Sequence, residues 1–144
     1  SENKIKDMTF YAAVSTEVSS GLMKQSHCSV LDVLAHNGID IHTISCGGHN
    51  AIFQLREQLT DGANSFTLES GKIIMYNCND KTIQELEKND YKHITSQLFQ
   101  DDIDSFEQIL RSDSKVVISI DGSELVKGRG GPRCMTLPIR RGRI

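Results

Sequence analysis

The segment GRGGPRC (Gly128–Cys134) lies near the end of this 144-residue sequence and surrounds one cysteine with glycines and arginines. Cysteine reacts as a thiolate, which a neighbouring guanidinium favours, so Arg129 and Arg133 are expected to activate Cys134 as a nucleophile. Arginine also binds carboxylates through two parallel hydrogen bonds, which makes Arg129 a candidate anion-binding residue. Glycine lets a backbone approach a ligand closely and move, and three glycines are candidates for this role: Gly128, Gly130 and Gly131.

The same residues also fit a flexible basic loop that carries an incidental core cysteine, and their spacing alone leaves both interpretations open. A cysteine nucleophile usually needs a histidine that transfers protons and is itself oriented by a polar partner. The sequence has five histidines, but none begins a His-x-Asp segment. Among them, only His49 belongs to a second candidate segment, in which it follows a pair of glycines.

That second segment is CGGHNAIFQLREQLTDGAN (residues 46–64). Gly47 and Gly48 precede a predicted helix, where backbone N–H groups can bind an anion. For two glycines alone, a plain connection between a strand and a helix is the favoured interpretation. Further along, three charged residues are expected to form a structural ion-pair cluster in or near the core: Arg56, Glu57 and Asp61.

Composition argues against several classes of function. The net charge is −3 and the dense basic residues are confined to the C-terminal end, which disfavours nucleic-acid and anionic-membrane partners. No apolar run is long enough to span a membrane. The four cysteines are scattered singly, so we expect reduced thiols in a cytoplasmic protein rather than disulfides or a zinc site. Cys28 and Cys78 are expected to be small buried hydrophobic residues.

The elements that must position these residues alternate between strands and helices, which predicts a single domain of the α/β class over residues 1–144. Alternating or continuous apolar runs predict strands at 8–15, 39–45, 91–96, 115–120 and 134–139, and a hairpin with its turn at Ser70-Gly71. Helical spacing and capping residues predict helices at 29–38, 51–59, 79–90 and 101–113.

Two blocks of the sequence resemble the arginine deiminase family. One is GSELVKGRGGPRCMTLPI (residues 122–139), and the other is the 46–64 segment followed by SGKIIMYN. The resemblance covers about residues 22–95 and 121–140, in the family's order. It implies a pentein fold, which is an α/β-propeller, with this chain forming about two ββαβ-like modules. It also implies hydrolysis of L-arginine to L-citrulline and ammonia, without a metal or cofactor.

The resemblance assigns roles to the residues of the first block. Cys134 corresponds to the nucleophile that forms a covalent thiouronium intermediate. Arg129 corresponds to the mobile arginine that binds the substrate's α-carboxylate, and Gly128 and Gly130 belong to the same substrate-binding loop.

The sequence also departs from the family's pattern. It lacks the family's His-Leu-Asp segment and the carboxylates that bind the guanidinium group, and residues 1–21 match nothing. Asn50 replaces a usual Asp, Leu59 replaces a usual Trp, and residues 97–113 resemble an insertion. We therefore expect a C-terminal fragment of a deiminase that is inactive alone and associates with the missing N-terminal part or with itself. The alternative is a non-catalytic or regulatory deiminase-like interaction module.

Overall fold

The computed structural model describes residues 30–139, apart from the side chain of Val33. The strand predicted at 8–15, Cys28 and the last three arginines lie outside these residues. Within the described part, the α-helices are α1 (Val30–His36), α2 (Ala51–Leu59), α3 (Asp80–Glu87), α4 (Gln97–Asp101) and α5 (Ile103–Arg111). The strands are β1 (Phe66–Glu69), β2 (Lys72–Tyr76), β3 (Lys92–Thr95) and β4 (Val116–Ile120). The predicted α/β class is confirmed.

The described strands form one mixed sheet in the order β1-β2-β4-β3. β1 and β2 form the predicted antiparallel hairpin, whose turn contains Gly71 at a φ of +76°, a conformation that glycine adopts without strain. β4 lies between β2 and β3 and runs parallel to both. The carboxyl ends of these three strands therefore meet at one edge of the sheet, where α/β proteins commonly bind ligands.

Both faces of the sheet are covered, which explains why β4 is a continuous apolar run rather than an alternating one. The first face packs beneath α3 in a cluster of Ile44, Ile73, Met75, Ile83, Leu86, Tyr91 and Val117. The second face packs against α4 and α5 in a cluster of Ile94, Val116 and Ile118 with Ile74, Leu98, Phe106, Ile109 and Leu110. No helix in residues 30–139 is both long enough and apolar enough to span a membrane.

Two of the predicted strands are wrong. Residues 39–45 form no ladder with any described strand, although Ile44 is buried in the first cluster. In the 134–139 segment, Pro132 begins a 3-10 turn that ends at Met135, and Leu137 and Ile139 are exposed. An alternating pattern becomes a strand only when another strand pairs with it, and neither segment has such a partner among residues 30–139. Residues 97–113 form α4 and α5, of which only α5 was predicted.

Glu57 of α2 holds the beginning of α3. Its side chain is fully buried, and its carboxylate accepts hydrogen bonds from the backbone N–H groups of Lys81 and Thr82 at 2.9 and 2.7 Å. These amides belong to the first turn of α3, which has no side-chain cap of its own from Asn79. Arg56 pairs with Glu57 at 2.6 Å, so the predicted ion pair between these two residues is present.

We predict that Glu57→Ala lowers the free energy of unfolding by about 3–5 kcal/mol, because it uncaps α3 and removes a buried partner of Arg56. Glu107→Ala is the control, since its exposed pair with Arg111 lies within α5. That variant is expected to lose less than about 0.5 kcal/mol. Urea unfolding measures the free energy of unfolding of both variants, provided that the denaturant slope is unchanged. Equal losses of stability in the two variants would contradict the role given to Glu57.

Candidate active site

Cys134 lies in a 3-10 turn (Pro132–Met135) that follows the carboxyl end of β4. The turn begins with Pro132, whose fixed φ suits a first helical position, and it is closed by a hydrogen bond from the Cys134 N–H to the Gly131 carbonyl at 3.0 Å. The Cys134 residue is exposed. The interpretation of Cys134 as an incidental core cysteine is therefore wrong.

The hydrogen-bond donor to the Cys134 sulfur is Asn64, whose Nδ2 lies 2.9 Å from Sγ. Asn64 stands between α2 and β1, and its position is fixed by a backbone hydrogen bond to the Asp61 carbonyl. Neither Arg129 nor Arg133 hydrogen-bonds to the thiol in the described part of the chain. The sulfur is thus oriented by the uncharged amide of Asn64, whereas the sequence predicts a neighbouring guanidinium in this role.

Gly131 allows the two loops to meet. It is buried, and a Cβ placed on it would overlap the carbonyl oxygen of Asn64 and crowd the Asn64 side chain. Gly128, by contrast, has open space around its Cα, and a methyl group added there would have nothing within 4 Å. The two glycines therefore differ: Gly131 permits close packing, whereas Gly128 ends a 3-10 turn (Leu125–Gly128) at a position where a side chain would meet no neighbour.

The Gly130 backbone forms hydrogen bonds through both its N–H group and its carbonyl. Its N–H donates to Asp61 Oδ2 at 2.9 Å, and its carbonyl accepts from the Tyr76 hydroxyl at 3.1 Å. Arg129 and Asp61 both have left-handed backbone conformations, with φ near +60°, which non-glycine residues rarely adopt. Such strain persists only where the surrounding structure enforces it.

Tyr76 is the last residue of β2 and is fully buried. Burial raises its pKa, and the nearby carboxylate of Asp61 raises it further. The hydroxyl therefore remains a hydrogen-bond donor at neutral pH. Gly122 lies flat against the ring, where any side chain would overlap the aromatic carbons.

The Arg129 side chain is exposed and has no hydrogen-bond or ion-pair partner among residues 30–139. A guanidinium in the same loop as an exposed thiol, with no partner among residues 30–139, is available to bind a ligand carboxylate. Arg133 is likewise exposed. The structure thus brings together Cys134, Arg129, Gly128 and Gly130 in one loop, as they are in the sequence, and adds Asn64, Asp61 and Tyr76 from distant segments.

The second candidate segment has a structural role. Gly47 and Gly48 form the predicted turn with φ of +76° and +69°, and their N–H groups donate to Thr82 Oγ1 and to the Ser45 carbonyl. They are therefore not free to bind an anion. His49 is exposed, with its ring 3.8 Å from Glu85, and makes no hydrogen bond to Cys134 in the described part.

The predicted cluster of Arg56, Glu57 and Asp61 is wrong in one member. Arg56 pairs with Glu57 and Asp80, whereas Asp61 binds Gly130. Burial would raise the pKa of Asp80, but hydrogen bonds from Lys81 and Arg56 outweigh it and hold that pKa below its ordinary value. The ion-pair cluster is therefore separate from the loop that carries Cys134.

The remaining described cysteines are less available than Cys134. Cys46 is buried and Cys78 is half-buried, and burial raises the pKa of each thiol. Both are therefore protonated at neutral pH, as expected for structural residues. The prediction for Cys28 lies outside the described residues.

Sequence reasoning missed Asn64 and Tyr76. Asn64 was visible only as the last letter of the DGAN stretch that resembled a family block, and Tyr76 only as the end of an apolar strand. Nothing in their spacing connects them with a loop more than fifty residues away. They become recognisable once β4 is known to lie beside β2, because that arrangement brings the loop after β4 to the end of β2.

The sequence is similar to known proteins along most of its length. The sequence model of the family described as "Arginine deiminase" matches residues 4–141, so the expectation that residues 1–21 match nothing is wrong for residues 4–21. The chain belongs to the arginine deiminase family. An arginine deiminase of Streptococcus agalactiae serotype V is 38% identical over 112 residues, which are 76% of this chain and 22% of the relative. The arginine deiminase of Streptococcus sanguinis is 36% identical over 115 residues, which are 78% of this chain and 22% of the relative.

A third member of the family, from Streptococcus pneumoniae strain Hungary19A-6, is 36% identical over 112 residues. The match covers 76% of this chain and 22% of that relative. The chain therefore spans about a fifth of the length of the curated arginine deiminases it matches.

The two glycines give a matched test of the loop packing. We predict that Gly131→Ala lowers the free energy of unfolding by about 1–3 kcal/mol, because its methyl group must displace Asn64. Gly128→Ala is expected to change it by less than about 0.5 kcal/mol, since its methyl group meets open space. Urea unfolding of the two variants measures the difference, and a Gly131 variant as stable as the Gly128 variant would refute the close approach.

Proposed function

We propose that this chain provides the nucleophile and the carboxylate-binding loop of an enzyme that hydrolyses L-arginine to L-citrulline and ammonia. The observation that carries the proposal is the exposed Cys134, whose sulfur is oriented by Asn64 in the same loop as Arg129, a residue whose side chain has no partner among residues 30–139. Membership of the arginine deiminase family supports the substrate and the reaction class. The cytoplasm is the proposed location, because the nucleophile must remain a free thiol.

In the proposed reaction, the Cys134 sulfur attacks the guanidinium carbon of arginine and forms a carbon–sulfur bond. The tetrahedral adduct breaks one terminal carbon–nitrogen bond, and protonated nitrogen leaves as ammonia. Water then attacks the same carbon of the thiouronium intermediate and gives up its protons to the acid/base group that protonated the leaving nitrogen and to solvent. The carbon–sulfur bond breaks, and citrulline and the thiolate are released. Covalent catalysis of this kind replaces one difficult displacement with two easier steps.

Arg129 is proposed to bind the α-carboxylate of the substrate through its planar pair of N–H donors. Its side chain is exposed and unpartnered in the described part of the chain, so no protein contact must be broken first. Gly128 and Gly130 flank it, and the open space around Gly128 allows the arginine to approach the ligand. Recognition of an α-carboxylate favours the free amino acid over an arginine within a peptide.

Two parts of the chemistry are not supplied by these 144 residues. The leaving nitrogen needs a proton donor, and the cationic guanidinium needs carboxylates beside it. No His-x-Asp segment occurs in the sequence, and the chain spans about a fifth of its relatives' length. We propose that these groups come from other segments of a longer deiminase chain, in which the sheet described here belongs to the modules of a pentein propeller.

Substitution of the nucleophile tests the assignment. In the natural full-length chain, Cys134→Ser is expected to lower citrulline production by at least about three orders of magnitude, because the hydroxyl is a far weaker nucleophile at neutral pH. Cys78→Ser is the matched control, since this half-buried cysteine lies outside the loop, and it is expected to remain active. Wild-type turnover by the Cys134 variant would end the assignment.

Because the proton donor and the guanidinium-binding carboxylates are proposed to come from other segments, we predict that residues 1–144 alone do not turn over arginine. A colorimetric citrulline assay at high protein concentration measures this, with the natural full-length chain as the positive control. Steady citrulline release by the isolated residues, lost in Cys134→Ser, would show that the acid/base groups are present in this sequence after all.

The alternative function, a non-catalytic interaction module, has one observation in its favour. Helix α2 exposes an apolar stripe formed by Ile52, Leu55 and Leu59, which are 75%, 63% and 50% exposed. Surfaces of this kind are typically covered by other protein segments. The stripe also fits packing against further modules of a deiminase, whereas the hydrogen bond from Asn64 to Cys134 has no purpose in a passive module. The enzymatic function is therefore the better supported one.

A further inference from the structure

We propose that Asp61 and Tyr76 are positioning residues that clamp the Gly130 backbone, so that Cys134 on one side of it stays fixed while the Arg129 side chain on the other side moves. The inference deepens the proposed function and rests on it. Asp61 and Tyr76 come from different elements, the end of α2 and the end of β2. They hold opposite sides of the same residue, through its N–H and its carbonyl.

The two residues that form the clamp are themselves rigidly held. Asp61 follows the C-cap of α2, and its left-handed backbone is locked by hydrogen bonds from its own N–H to Gln58 and from the Asn64 N–H to its carbonyl. Tyr76 is fully buried, and Gly122 covers its ring. Because the anchors cannot shift easily, the two peptide groups that meet at Gly130 are fixed relative to the sheet.

The loop differs on the two sides of the clamp. On the C-terminal side, Gly131 is packed against Asn64, Pro132 is buried, and the turn holding Cys134 is closed by its own hydrogen bond. On the N-terminal side, a 3-10 turn (Leu125–Gly128) ends with a hydrogen bond from the Arg129 N–H to the Val126 carbonyl at 3.1 Å, and the Arg129 side chain has no partner within residues 30–139. The freedom on this side of Gly130 therefore lies in the Arg129 side chain.

This division has a chemical advantage. A nucleophile must stay within a few tenths of an ångström of its reactive position, and small displacements reduce the rate strongly. A carboxylate-binding arginine must instead move to admit and release the substrate. A clamp between the two allows Arg129 to move without displacing the Cys134 sulfur.

The decisive variants are Asp61→Ala, which removes the acceptor, and Asp61→Asn, which keeps an acceptor oxygen in the same place. Asp121→Ala is the matched control, because Asp121 also accepts a backbone N–H, that of Ser123, but does not touch Gly130. Tyr76→Phe removes the hydrogen bond to the Gly130 carbonyl. Tyr91→Phe is its control, because Tyr91 is a buried tyrosine elsewhere in the core. All are made in the natural full-length chain.

Three measurements are needed. Amide hydrogen exchange of Gly130 reports the clamp, and it is expected to quicken about tenfold or more in Asp61→Ala. Citrulline kinetics are expected to show kcat falling about 10- to 100-fold with a smaller change in KM, since the nucleophile is displaced more than the arginine. Asp61→Asn is expected to recover most of the loss.

The third measurement is the alkylation rate of Cys134 by iodoacetamide relative to that of Cys78. This ratio is expected to fall at least about threefold in Asp61→Ala, because Sγ loses its fixed contact with Asn64.

The outcomes separate the two proposals. Unchanged exchange at Gly130 in Asp61→Ala would overturn the clamp, whatever the activity. Faster exchange with unchanged kcat and unchanged alkylation of Cys134 would overturn its positioning role. If the wild-type chain makes no citrulline, the proposed function fails, and the clamp stands or falls on the exchange and alkylation results. A control variant at Asp121 or Tyr91 that reproduces the losses would also overturn the proposal.

Discussion

The site depends on a close approach between two loops, in which Gly131 lies directly against the backbone of Asn64. Only a residue without a side chain can occupy this position, and the contact sets the distance from Asn64 to the Cys134 sulfur. The loop after α2 and the loop after β4 are thereby joined into one structure. Asp61 and Tyr76 then fix its orientation, and the exposed Arg129 extends from it.

The regular elements were predictable because their causes are local. The helical spacing of α2 and α3, the turn at Gly71 and the continuous apolar run of β4 each depend on residues close together in sequence. The two wrong strands show the limit of such patterns. Whether residues 39–45 or 134–139 form a strand depends on a neighbouring strand, which no local pattern reveals.

The candidate site was predictable in its centre and not in its surroundings. Cys134, Arg129 and the glycines share one short segment, so residue type and spacing were enough to make them candidates, while leaving the interpretation of a basic loop with an incidental cysteine open. The contacts from Asn64 to Cys134 and from Asp61 to Gly130 join residues 70 and 69 positions apart. Such contacts follow from the order of strands in the sheet, and Asp61 was accordingly assigned to the wrong partner.

The central position of β4 has a consequence for how the chain is made. β2 and β3 do not touch each other in the described sheet, and each is hydrogen-bonded to β4, which comes last in sequence. A nascent chain that ends before residue 116 therefore holds a hairpin and a separate strand, both with unpaired backbone edges that invite association with other chains. Synthesis of a single five-residue strand pairs the two edges that face it, one on β2 and one on β3, and the loop that follows it then carries the thiol to the end of β2.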